Sequence, residues 1–127
     1  NESVDLQVFL PPQALAVKAD RVQLSQIFMN VLRNAIQATQ GQASRQLRIR
    51  VWGEQGMAHI TVTDNGPGLS AETSGQVGNT FFTTKTDGLG VGLSISKSIA
   101  MRHGGSLSIG NSPTGGAVVE LQLPLVD

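Results

Sequence analysis

Asp87 to Ser96 reads DGLGVGLSIS, with glycine at 88, 90 and 92 and a hydrophobic run straight after. Alternating glycines lose extra backbone entropy on ordering and suit neither a strand nor a helix. Placed ahead of a helix beginning at Leu93, they suit phosphate. A helix N-terminus presents unpaired N–H groups, and glycine lets the backbone come close. The common phosphate loops do not fit. Counted from Gly88 and Gly90, the sixth position of a dinucleotide fingerprint is Leu93 and not glycine. The chain contains no Gly-Lys pair for a Walker loop, and no His-Arg-Asp loop follows as in Ser/Thr/Tyr kinases.

Three other stretches carry candidate chemistry. Asn30, Arg33, Asn34 and Gln37 stand at i, i+3, i+4 and i+7, so on a helix their side chains gather on one face. Two asparagines are mediocre helix formers, and a solvated face normally favours Glu and Lys. Amide oxygens one turn apart suit a hard cation such as Mg²⁺, with Arg33 available to a phosphate. A plain wet face is the alternative. Asp64-Asn65-Gly66-Pro67-Gly68 has turn composition. Asp64 nonetheless ends an apolar strand, where a partly buried carboxylate needs donors; a ligand's ring amino group would be one. Asn79 to Lys85, NTFFTTK, sets Phe81 and Phe82 beside Thr83, Thr84 and Lys85. The phenylalanines fit a loop anchor, and the hydroxyls and lysine fit a polyphosphate.

The elements that must position these groups follow from periodicity. VDLQVFL alternates as a strand, and ALAVKA reads as a short second one. Asp20 is a good N-cap for a helix from Arg21 to about Thr39, ended near Gly41. Its core face is Leu24, Ile27, Phe28, Val31, Leu32 and Ala35. Residues 47–52 and 57–64 read as strands joined by a turn through Gly53 and Gly56. A second helix fits Leu93 to about His103, stopped by Gly104-Gly105. SLSIGN and GAVVELQLP close the chain as two strands. Two helices against a largely antiparallel sheet make a two-layer α+β sandwich.

Composition narrows the functions available. The 127 residues suffice for one domain with one core, spanning 1–127. Net charge is zero, so no basic surplus marks a nucleic-acid or anionic-membrane surface. Four Phe and one Trp are few for single-strand stacking. With no cysteine, disulfides and thiolate metal sites are excluded. His59 and His103 stand far apart without ligand-like companions. His59 is expected as a strand residue and His103 as a cation at a helix C-terminus. The chain opens in mid-pattern without methionine, which reads as a fragment of a longer protein.

Taken in order, Asn-x-x-x-Asn-Ala, Asp-x-Gly-x-Gly, Phe-Phe-Thr-Thr-Lys and Gly-x-Gly-x-Gly resemble the catalytic ATP-binding domain of two-component sensor histidine kinases. That domain belongs to the superfamily shared with gyrase, MutL and the heat-shock chaperone ATPases. The resemblance runs from about Asp20 to Pro124. It implies a Bergerat-type ATP-binding fold: an α/β (α+β) two-layer sandwich with a mixed, mainly antiparallel sheet. It also implies ATP and Mg²⁺ as ligands, with Asn30 and Asn34 as catalytic, metal-side residues. Arg33 and Gln37 share their face. Asp64 would accept the adenine amino hydrogen, while Gly66 and Gly68 let the ring approach. Thr83, Thr84 and Lys85 would hold polyphosphate. Gly88, Leu89, Gly90, Val91, Gly92 and Leu93 fall where the family's lid meets the triphosphate. The FFTTK wording is similar to the nitrogen-regulation and dicarboxylate-sensor branch.

Superfamily hydrolases carry a glutamate where this chain has Asn30, and an amide cannot serve as a base. Transfer to a histidine is therefore favoured over autonomous hydrolysis. Residues 70–80 depart from the family, because Ser74, Gly75, Gly78 and Thr80 weaken its usual helix. No acceptor motif is present, since neither histidine precedes an acidic residue. The resemblance thus implies a dimerisation and histidine-acceptor domain upstream, and a response regulator reached through it. It further implies a monomeric isolated domain, a homodimeric parent and a cytoplasmic site on an inner-membrane sensor. A degenerate docking module and a superfamily ATPase are the alternatives.

Overall fold

The computed structural model describes residues 3–68, 89–113 and 115–126. Its elements are β1 (Val4–Phe9), α1 (Arg21–Ala38), β2 (Arg45–Glu54), β3 (Met57–Asp64), α2 (Leu89–Arg102), β4 (Ser106–Asn111) and β5 (Ala117–Pro124). The five strands form one sheet in the order β1-β2-β3-β5-β4. β1 pairs parallel to β2, and every other pairing is antiparallel. The parallel pair needs a crossover, and α1 lies within it. The mixed two-layer sandwich expected from the sequence is the observed fold.

Alternation decides what each strand buries. On β3, Ala58, Ile60, Val62 and Asp64 all face the helices. Val119, Leu121 and Leu123 of β5 and Leu107 and Ile109 of β4 join the same core. The 2.0-residue period that buries three apolar side chains of β3 also carries a carboxylate to the same face. α1 contributes Ile27, Val31 and Ala35, flanked by partly buried Leu24, Phe28 and Leu32, which is the predicted stripe.

The ends of α1 are closed by side chains. Asp20 Oδ1 accepts from the N–H of Gln23 at 3.0 Å, an N-cap bond. Thr39 Oγ1 donates to the Ile36 carbonyl at 2.7 Å. Arg45, at the start of β2, donates through Nε to Thr39 Oγ1 at 3.0 Å and through Nη2 to Ile36 O at 3.2 Å. A cation thus meets the negative end of α1 from another element.

Four expectations shift. ALAVKA forms no strand; it makes a single bridge, Val17 to Leu125, with Val126 N–H donating to Ala16 O. The β2–β3 turn is Gln55-Gly56, with φ of 55° and 79°, as a two-residue hairpin of right-handed twist requires. Gly53 stays in β2 opposite Ala58.

α2 begins at Leu89 and not at Leu93, so Gly90 and Gly92 lie within its first turn. The reason is tertiary. Docking against α1 buries Leu93 and gives the Gly92 carbonyl a partner on α1, which outweighs glycine's poor helix propensity. His103, lastly, is not arranged as a cation. Its Nδ1 donates to Ile99 O at 2.8 Å, and its Nε2 accepts from Asp20 N–H at 3.1 Å. Only a neutral imidazole does both, so His103 pins the C-terminus of α2 to the N-terminus of α1.

Candidate functional site

The described parts of three motifs meet where β3 ends, since Asn34, Asp64 with Gly68, and Leu93 line one pocket. Asp64 is the last residue of β3, and only 6 % of its surface is exposed. Its Oδ1 accepts two backbone hydrogen bonds, from Gly66 N–H at 2.8 Å and Ala117 N–H at 3.2 Å. Both bonds go to the same oxygen. Among the described residues Oδ2 has no partner, and it is the oxygen left for a ligand. Burial pushes the Asp64 carboxyl above its ordinary 3.8, and the Gly66 and Ala117 N–H groups oppose that rise.

The glycines around Asp64 are placed by close approach. A Cβ at Gly66 would collide with the Ala38 carbonyl at the end of α1. Gly116, with φ +83°, lies against the Asp64 carbonyl, where a Cβ would also collide. Gly68 has φ +78°, and its Cβ would stand 2.8 Å from Asn111 Oδ1. The turn is therefore packed against α1 on one side and the β4–β5 connection on the other. Asn65 fastens its outer side: Nδ2 donates to Ser44 O at 2.6 Å, and Oδ1 accepts from Gln46 N–H at 3.0 Å.

A pocket of about 60 Å³ opens beside Asp64. Asn34, Ala35 and Ala38 of α1 form one wall, Leu93 of α2 another, and Ile109, Ala117 and Val119 the sheet side. Pro67 and Gly68 complete the lining. A flat apolar ring with one amino group at its edge matches that lining: apolar faces, and a single carboxylate oxygen at the edge. A larger concavity of about 220 Å³ borders Asp64 from the other side, lined also by Asp5, Gln7, Gln46, Arg48, Thr63 and Asn65 among others. It contains none of the α1 or α2 motif residues, so the smaller pocket is the candidate site.

Asn30 stands one helical turn before Asn34. Its Nδ2 donates to Gly92 O at 3.2 Å and to Ser96 Oγ at 3.1 Å. With both amide hydrogens directed into α2, Oδ1 is the group left to act. Asn30 and Asn34 therefore offer oxygen donors of the kind that Mg²⁺ takes, and the residues present fit that ion.

The sequence-derived set divides as follows. Asn34, Asp64, Gly68 and Leu93 line the pocket, Gly66 holds Asp64, and Asn30 with Gly92 ties α1 to α2. Arg33 and Gln37 are exposed on α1 and do not line it. Leu89, Gly90 and Val91 belong to the first turn of α2. Thr83, Thr84, Lys85 and Gly88 lie outside the described residues, as do Phe81 and Phe82. Sequence reasoning missed Ala35, Ala38, Ile109, Ala117 and Val119 as pocket walls. It also missed Ser96 as the partner of Asn30. The wall residues read as ordinary core, and only their convergence on Asp64 sets them apart.

Residues 19–127 match the family described as histidine kinase-, DNA gyrase B- and HSP90-like ATPase. The sensor protein FixL of Bradyrhizobium diazoefficiens is 39 % identical over 127 residues, covering 99 % of this chain and 25 % of FixL. The C4-dicarboxylate transport sensor protein DctB of Pseudomonas aeruginosa is 40 % identical over 124 residues, covering 95 % of this chain and 20 % of DctB. The chain thus spans about a quarter of these relatives' length or less. Among solved structures, the nucleotide-free catalytic domain of histidine kinase ThkA superposes with a TM-score of 0.77 at 31 % identity, over 95 % of this chain and 78 % of that one. ThkA in complex with the response regulator TrrA gives 0.75 at 26 % identity, over 98 % and 35 %.

Proposed function

The chain belongs to the histidine kinase-, DNA gyrase B- and HSP90-like ATPase family, as a catalytic domain of the histidine kinase type, and from that premise we propose that it binds ATP with Mg²⁺ and supplies the γ-phosphoryl group to a histidine on a separate acceptor domain. The observation that carries this reading is the half-committed carboxylate of Asp64. Oδ1 accepts from two backbone N–H groups, Oδ2 has no partner among the described residues, and Asp64 lines a small apolar pocket.

In this reading Oδ2 accepts the adenine amino hydrogen. Leu93, Ile109, Ala117 and Val119 cover the ring and exclude water from that bond, which strengthens it. The phosphates then lie along α1 toward Asn34 and Asn30. Mg²⁺, when bound, neutralises charge on the phosphates and orients them for in-line transfer. Asn34 and Asn30 would hold it through their amide oxygens. Thr83, Thr84, Lys85 and Gly88 would complete the phosphate side. Asn30 has no basic lone pair to activate water, so the site positions a phosphoryl group without driving its hydrolysis.

Neither histidine of this chain is arranged as the acceptor. His59 Nδ1 is bonded to Glu120 Oε2 at 2.8 Å, and its ring stacks on Trp52 at 5.0 Å. Both nitrogens of His103 are engaged. The acceptor therefore belongs to a dimerisation domain of the same protein, which passes the group to a response regulator. The site of action is cytoplasmic, where ATP is; among the described residues no helix is long and apolar enough to cross a membrane.

The test is incubation with γ-labelled ATP and Mg²⁺, alone and with a sensor-kinase acceptor domain added. Acid-labile label is expected on the added domain only. Steady release of free phosphate by the chain alone would point to a hydrolase instead. Nucleotide binding without transfer to any acceptor domain would point to a docking module.

A further inference from the structure

Ser96 is wholly buried in α2, on the helix that also buries Leu93, Ile99 and Ala100 in the apolar core. A hydroxyl in such a place is unfavourable unless it is bonded, and alanine would pack there at least as well. Its partner is Asn30 Nδ2, at 3.1 Å. The other hydrogen of that amide goes to Gly92 O at 3.2 Å. A carbonyl only accepts, so the Asn30 atom facing α2 is the nitrogen, and the amide cannot be turned over without setting two oxygens against each other.

Two consequences follow for the site. Asn30 can act toward a ligand only as an acceptor, so its contact is with a cation or a cation's water and not with a phosphate oxygen. Its orientation is also set from α2, the helix that begins at the glycine motif. We propose that Ser96 is a positioning residue: with the Gly92 carbonyl, it clamps the Asn30 amide so that Oδ1 alone faces the metal side of the site. This rests on the ATP·Mg²⁺ reading above and adds to it a residue that touches neither nucleotide nor metal. It also makes the Asn30 side chain a link between the metal side and the start of α2. Displacing α2 removes both acceptors and frees the amide.

The test uses the whole 127-residue chain and two readouts. The first is hydrogen exchange at the Asn30 side-chain amide, followed by NMR without nucleotide. Both Nδ2 protons are expected to be protected in the wild type. In Ser96→Ala one of them should lose protection while the fold, checked by thermal melting, is kept. The second is calorimetric affinity for a non-hydrolysable ATP analogue with and without Mg²⁺. Ser96→Ala should reduce the Mg²⁺-dependent gain roughly 5-fold, as expected for one hydrogen bond, and leave Mg²⁺-free ADP binding unchanged. Ser96→Cys, which retains a weak acceptor of similar shape, should fall between them. Unchanged amide protection and an unchanged Mg²⁺ gain in Ser96→Ala would overturn the role of Ser96 while leaving nucleotide binding in place. A wild type that binds no adenine nucleotide would overturn the functional reading and this role with it, even if the clamp itself is seen in exchange.

Discussion

Asp64 has one oxygen committed to the fold and one left over, and the two have opposite consequences. Burial raises its carboxyl above the ordinary 3.8. Between those two values the folded state holds more protons than the unfolded state, so stability falls as pH rises through the window. Above that window the carboxylate, once ionised, is a net burden on the empty fold. Asp64→Asn keeps an Oδ1 acceptor for Gly66 and Ala117 and removes the charge. Its thermal midpoint at pH 7 should equal or exceed that of the wild type; a drop of several degrees would contradict this. Nucleotide has the opposite preference, since an amino group bonds to the ionised form. Affinity should decline as pH falls through the raised value, with proton release on binding seen by calorimetry in buffers of different ionisation enthalpy. Asp64→Asn should show no such decline. Asp64 was legible as a candidate because a carboxylate ending an apolar strand is anomalous. Ser96 and Asn65 were not, because a serine in a helix and an asparagine in a turn are unremarkable until their long-range partners are known.

Glycines at the junctions between elements separate architecture from site. A Cβ at Gly66 meets the end of α1, and one at Gly105 meets the Gln122 carbonyl of β5. Each Gly→Ala change should destabilise by about 1–3 kcal/mol through forced backbone movement, read by denaturant unfolding. Only Gly66→Ala should also weaken nucleotide binding, because Gly66 N–H holds Asp64 Oδ1. Equal affinities in the two folded variants would place the ligand elsewhere. Periodicity located α1, β3 and β4 closely, since each has a clean 3.6 or 2.0 pattern with a cap or turn at its ends. It failed at the start of α2, where Gly90 and Gly92 are poor helix formers and the Gly92 carbonyl is bonded from α1. It failed again at ALAVKA, whose β-like alternation yields one bridge, Val17 to Leu125, and one backbone bond from Val126 to Ala16. His103 was misread because the dipole argument considers one helix, while its second hydrogen bond comes from another.

For the whole molecule, the sheet and two helices share one apolar core, and a few side-chain hydrogen bonds tie them together around the site. α1 reaches α2 through Asn30 at one end and His103 at the other. Arg45 ties α1 to β2, and Asp64 adds a side-chain bond to the β3–β5 ladder. Of these linking residues, Asp64 alone also lines the candidate pocket. The order of four individually ambiguous motifs singled out the candidate site. The walls were not legible, because apolar core and apolar ligand pocket have the same sequence pattern. The central claim is that Asp64 Oδ2 reads an adenine ring whose phosphates lie toward Asn30 and Asn34. Calorimetric titration of ADP and an ATP analogue, with and without Mg²⁺, into the wild type and Asp64→Asn tests it most directly. Losing a charge-assisted hydrogen bond of about 1.5–3 kcal/mol predicts Mg²⁺-dependent wild-type binding that weakens roughly 10- to 150-fold in the variant. Wild-type binding that is absent, or equal in Asp64→Asn, would contradict it.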